Sequence, residues 1–159
     1  MPKIDIAKVP DVTGNNYPRQ FKPIVESGGG RIRKALGDAA GLTQFGVRLT
    51  RLPVGAASAL RHWHMSEDEF IYVLQGQATL ITDAGEETIG PGDAAGFPAG
   101  EQNGHCLVNK GDAEVLYLEI GTRAPHDFVE YPDVDLCVLR GEKPNFYMNK
   151  AGVPYRDKN

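Results

Sequence analysis

Between Gln44 and Ile120 apolar residues come in short alternating runs, and each run is closed by glycine, proline or an acidic pair. Alternation with period two is the signature of half-buried strands, and the punctuation leaves little room for a long helix. The pattern predicts eight strands, at 44–52, 59–64, 69–75, 77–82, 87–89, 94–97, 104–109 and 114–120. Asp83-Ala84-Gly85-Glu86 and Gly90-Pro91-Gly92-Asp93 read as turns between them. Residues 70–74 and 78–81 flank Gln75-Gly76-Gln77 and read as a hairpin, with Gly76 supplying a positive φ. Eight short strands at this spacing predict an all-β sandwich or barrel.

The two ends follow a different rule. Residues 1–43 carry Pro2, Pro10, Pro18 and Pro23 and the run Ser27-Gly28-Gly29-Gly30, which predicts an arm with at most a helical turn around Lys34-Ala35-Leu36. Residues 121–159 mix Pro125, Pro132, Pro144 and Pro154 with Phe128, Phe146, Tyr147 and Tyr155, a second arm whose aromatics pack on the barrel or on a neighbouring subunit. No internal repeat is visible. The chain of 159 residues is therefore expected to be one domain, with a barrel at about 44–120.

Strand parity then sorts the side chains. His62 and His64 are two apart and project to one face, while Trp63 points to the other and reads as packing. A turn at Met65-Ser66-Glu67-Asp68, with its two acids expected to be solvated, returns the chain to Glu69 on the face of Ile71 and Val73. His105 begins the face of Leu107 and Asn109, and would close the site from a strand across the barrel. Three imidazoles and a carboxylate form a ligand set for a divalent ion such as Fe, Mn, Ni, Co or Zn. Phe70, Tyr72 and Leu74 take the outward face, where they suit packing against another sheet or subunit. Arg48, Arg51 and Arg61 lie on or near the framing strands and could grip an anion through two hydrogen bonds.

Composition excludes several classes. A net charge of -4, a pI near 5.5 and no long basic run argue against nucleic acid or an anionic membrane surface as partner. No apolar core follows the lysine in MPKIDIAKVPDVTG, so a cytoplasmic location is expected. Cys106 and Cys137 are too few for a disulfide framework and read as buried thiols; Cys106 sits on the face opposite His105.

Gly55, His62-Trp63-His64, Glu69 and Gly76 together resemble the first motif of the cupin superfamily, and Gly92, Pro98, Gly100, His105 and Asn109 resemble the second. Four residues, Glu101 to Gly104, separate Gly100 from His105, two more than that family usually has. The resemblance implies a double-stranded β-helix, or jelly-roll, barrel that holds a divalent metal through His62, His64, Glu69 and His105. It also implies chemistry on a small molecule. A sugar-phosphate-isomerase-like activity is expected, with an Fe(II)-dependent dioxygenase and a non-catalytic binding or sensor module as alternatives. No helix-turn-helix pattern accompanies the barrel, which weighs against a DNA-binding regulator. The aromatic arms lead us to expect a homodimer.

Overall fold

The computed structural model describes residues 3–141 and 145–155; Pro2 and Pro144 lie outside them. In chain order the strands are β1 (Asp11–Val12), β2 (Ile32–Ala35), β3 (Phe45–Leu52), β4 (Trp63–His64), β5 (Glu69–Gln75), β6 (Ala78–Thr82) and β7 (Gly85–Ile89). They continue with β8 (Ala94–Phe97), β9 (Cys106–Val108), β10 (Val115–Thr122), β11 (Asp127–Tyr131), β12 (Leu136–Arg140) and β13 (Phe146–Met148). All ladders among them are antiparallel. One sheet has the order β1-β2-β3-β10-β5-β8. Facing it, β7-β6-β9 and β13-β12-β11-β4 are linked by single bridges at His62–His105 and Ala57–Val108.

Leu52, Ile71, Val73, Leu80, Leu107, Val115 and Tyr117 fill the space between the sheets, so the parity assigned to Ile71, Val73 and Leu107 is observed. Their burial supplies the hydrophobic driving force for closure. Phe70, Tyr72 and Leu74 remain about two-fifths exposed on the outer face.

Several expectations require correction. β5 and β6 do not form a hairpin: β5 pairs with β10 and β8, and β6 pairs with β7 and β9. Gln75-Gly76-Gln77 carries the chain from one sheet to the other, because each strand finds more apolar surface to cover across the barrel than beside its neighbour. Residues 32–35 form β2 rather than a helical turn, since the free edge of β3 offers them a complete ladder; the helical turn is displaced to Leu36–Ala39.

The arms are also more ordered than their proline content suggests. β1 and β2 extend this chain's own sheet, and β11 to β13 extend the facing one. Tyr17, Phe21 and Val25 from the first arm pack with Val129, Tyr131, Leu136, Val138 and Tyr147 of the second in a separate apolar cluster. Tyr17 meets Tyr131 edge-on at 5.5 Å between centroids, a favourable aromatic geometry.

Both cysteines are buried and unpaired. Burial pushes the Cys106 thiol up to about 11, which keeps it protonated and inert at neutral pH. Among the described residues no helix is long and apolar enough to cross a membrane.

Candidate metal centre

The site begins where the backbone changes partners. His62 exchanges both backbone hydrogen bonds with His105, and one residue later Trp63 and His64 pair with β11 instead. His105 therefore lies beside His62 on the adjacent strand, not across the barrel as parity alone suggested. Glu69 comes from the facing sheet, as the first residue of β5. Trp63 points away from the centre and is buried edge-on against Phe128.

The four side chains meet at one point. Glu69 Oε2 lies 3.5 Å from His62 Nε2, 3.4 Å from His64 Nε2 and 2.9 Å from His105 Nε2. Ligand atoms about 2.1 Å from a common ion stand roughly 3 Å apart when adjacent, so these separations are of the right size. The ligand atoms of His62, Glu69 and His105 all fall within 4.8 Å of one another.

The tautomers fit as well. His62 Nδ1–H donates to the carbonyl of Leu60 at 2.8 Å, and His64 Nδ1–H donates to Asp127 Oδ2 at 2.6 Å. A carbonyl and a carboxylate can only accept, so each ring carries its proton on Nδ1 and turns the Nε2 lone pair toward Glu69. Phe97 stacks flat on His105 at 3.5 Å, and Tyr131 stacks on His62 at 5.7 Å, which fixes the planes of both rings. The donor set and its orientation suit a divalent ion.

Electrostatics follow from the same contacts. Burial alone would raise the pKa of Glu69, but the hydrogen bond with His105 and the electrostatic influence of the His62 and His64 rings hold it well below the usual carboxylate range. His105 moves down, since burial and the neighbouring imidazoles outweigh its contact with Glu69. His64 moves up although burial opposes it, because Asp127 and Glu69 favour its charged form.

Asp127 and Arg140 were not legible in the sequence as parts of this site. Asp127 is 4% exposed, and its second oxygen accepts from the Ser66 backbone N–H. Arg140 donates to Glu67 at 2.8 Å and lies 3.8 Å from Asp127. Glu67, expected to be a solvated turn residue, instead has a side chain only 11% exposed and also accepts from the Ala124 N–H. The second arm causes this, by folding β11 and β12 against the turn. His64, Glu67 and Asp127 are close enough to hold an ion themselves, but the Arg140 guanidinium already supplies the compensating charge. This group braces the first centre.

Asp127→Asn tests the brace. The amide keeps the shape but weakens the acceptor for His64, and we expect metal affinity to fall about 10–100-fold with the fold retained, read by chelator competition. The metal-free parent should show the pair in its pH dependence. The lowered Asp127 pKa gives stability that is present above the carboxyl's unfolded value and fades as pH falls through the folded one. The raised His64 pKa gives stability that is full below the unfolded imidazole value and fades as pH rises through the folded one. The parent's advantage over Asp127→Asn should therefore peak at mildly acidic pH.

Beside the four side chains opens a cavity of about 300 Å³, lined among others by Phe97, Leu80, Thr82, Glu67 and Glu101. That volume admits a small metabolite. Of the three framing arginines, Arg61 is bound to Asp133 and Asp83, and Arg51 to Asp11. Arg48 has no ion pair among the described residues.

Comparison with known proteins identifies the family and the fold. The family model for the cupin domain matches residues 48–121. A sugar phosphate isomerase from a cupin superfamily, of Silicibacter pomeroyi, is 42% identical, with 96% of each chain covered and a TM-score of 0.91. A protein of Acidithiobacillus ferrooxidans, described as a proposed sugar phosphate isomerase, is 34% identical over 77% of this chain and 78% of its own, with a TM-score of 0.73. The polyketide cyclase RemF of Streptomyces resistomycificus, at 21% identity, 77% and 79% coverage and a TM-score of 0.59, shares the fold alone. No curated protein matches. The chain belongs to the cupin superfamily, and its strands form the jelly-roll barrel of that family.

Proposed function

We propose that this cupin binds one divalent metal ion through His62, His64, Glu69 and His105 and interconverts the aldose and ketose forms of a sugar phosphate. The observation that carries this reading is the convergence of three oriented imidazoles on Glu69 Oε2 beside an open cavity. The descriptions of the two relatives above 30% identity support the substrate class. Fe, Mn, Ni, Co and Zn all suit the donor set.

A divalent ion in this site supplies Lewis acidity at a substrate carbonyl or hydroxyl. The chain's own residues would do the rest. Isomerisation requires a base to move a proton between adjacent carbons. Glu67 lines the cavity but is held by Arg140 and the Ala124 N–H. Glu101 lines it too, with no side-chain partner among the described residues, so we assign it the proton transfer. It stands in the longer loop before His105, which gives that insertion a purpose. Phe97 and Leu80 form the apolar wall that limits water.

The test is to load the protein with Mn(II) or Fe(II), add aldose and ketose phosphates, and follow their interconversion by NMR beside an oxygen electrode. Interconversion without oxygen uptake is expected. Oxygen consumption with a bound substrate would replace this reading with the dioxygenase, and tight binding without turnover would replace it with the sensor. Two buried unpaired thiols fit a reducing cytoplasm. The outward apolar row of Phe70, Tyr72 and Leu74 offers a second copy of this chain a surface for a homodimer.

A further inference from the structure

Three arginines share one inner face of the larger sheet. β2 and β3 align Arg33 with Thr50 and Ala35 with Arg48, and β3 and β10 align Thr50 with Tyr117 and Arg48 with Glu119. Arg31, two residues before Arg33, takes the same face by parity. Among these residues Glu119 is the one acid, and it is fully engaged. It accepts from Arg31 Nη1 at 3.2 Å, Thr50 Oγ1 at 2.8 Å and Tyr117 OH at 3.3 Å.

Two positive charges are thus left over. Arg33 Nε is buried with no acceptor in the protein among the described residues, and neither Arg33 nor Arg48 has an ion pair there. Taking part of the Arg33 guanidinium out of water without a partner is costly, and Arg48, exposed at the end of the same row, adds repulsion. The Arg33 pKa reflects this: burial first, then Arg31 and Arg48, push it down to about 10 although Glu119 opposes the fall. Two free guanidinium forks in one row, Arg33 half-buried and Arg48 open to solvent, fit a phosphate, which offers oxygens in the matching geometry.

The face leads toward the metal centre. Ile71 of β5 aligns with Glu119, so Glu69 sits one step further along the same inner surface. With strands about 4.8 Å apart and about 3.3 Å per residue, the Cα atoms of Arg48 and Glu69 are roughly 12 Å apart, within the reach of an arginine and a phosphorylated metabolite together. Arg31 also feels the Glu69 charge.

We propose that Arg33 and Arg48 form a phosphate-binding subsite for the molecule whose other end reaches His62, His64, Glu69 and His105. The subsite deepens the isomerase reading and rests on it for the identity of the substrate. Arg31 and Glu119 act as its positioning pair, with Thr50 and Tyr117 holding the carboxylate.

The experiment is calorimetric titration of the metal-loaded protein with inorganic phosphate, together with Arg48→Gln, Arg33→Gln and the outer-face control Arg51→Gln. Each inner variant should weaken phosphate binding by about tenfold, the loss of one charge-assisted contact, with Arg51→Gln unchanged. Arg48 is exposed, so its variant reports even if Arg33→Gln does not fold. In the isomerase assay the same variants should raise KM for a sugar phosphate and leave kcat little altered. Absence of phosphate binding by the parent, or equal weakening by Arg51→Gln, overturns the subsite. Arginine-dependent phosphate binding without isomerisation keeps the subsite and removes the isomerase. Isomerisation with KM unchanged in Arg33→Gln and Arg48→Gln keeps the isomerase and removes the subsite.

Discussion

Glu69→Gln purified from cells should contain less than about one-tenth of the metal held by the parent, because its carboxylate oxygen is the point on which three imidazoles converge. The amide is nearly isosteric, so the barrel should fold, and the loss comes from the missing charge and the poorer donor atom. His62→Ala should behave alike. Elemental analysis is the direct measurement. A second reading comes from stability. Metal present at a hundred times its dissociation constant stabilises the native state by about 2.7 kcal/mol, so a chelator should lower the melting temperature of the parent by roughly 5–10 °C. The two variants should melt at the same temperature with and without chelator. Undiminished metal in either variant would overturn the ligand assignment.

Gly76→Ala should destabilise the fold by about 3 kcal/mol or more, although the site is far from any chemistry. Gly76 has φ +77°, and a Cβ there would stand 2.5 Å from the Glu114 carbonyl oxygen. A solvent-facing hairpin turn would lose only the left-handed penalty of about 1–2 kcal/mol. Gly41→Ala is the matching control, with φ +72° and open space around the added methyl. Urea midpoints of the two variants separate the terms. Equal losses would show that the 75–77 connection is an exposed turn and not the packed crossing between sheets.

That glycine illustrates how far the sequence could be read. Strand spans 69–75 and 94–97 were legible to the residue, since alternation and turn residues are local properties of the backbone. The partner of each strand was not. Residues 70–74 and 78–81 look like a hairpin because nearness in sequence favours pairing, yet closing the barrel buries more surface when they part. The same limit explains β2 and β11 to β13. Their residues are unremarkable as isolated strands, and they become strands because β3 and β4 present edges to them.

The candidate site divides along the same line. The sequence by itself determined that His62 and His64 share a face, that Glu69 opens the next strand with Ile71 and Val73, and that Trp63 and Cys106 turn away. Period-two geometry requires this of any extended chain. Only the tertiary structure decided that His105 lies beside His62, that Asp127 fixes the His64 tautomer, and that Arg140 draws Glu67 out of solvent. The same holds for Arg33 and Arg48, left without acids on the inner face. Each of those relations joins residues more than ten positions apart, and their geometry is set by which strand edges and apolar faces find one another when the two sheets close.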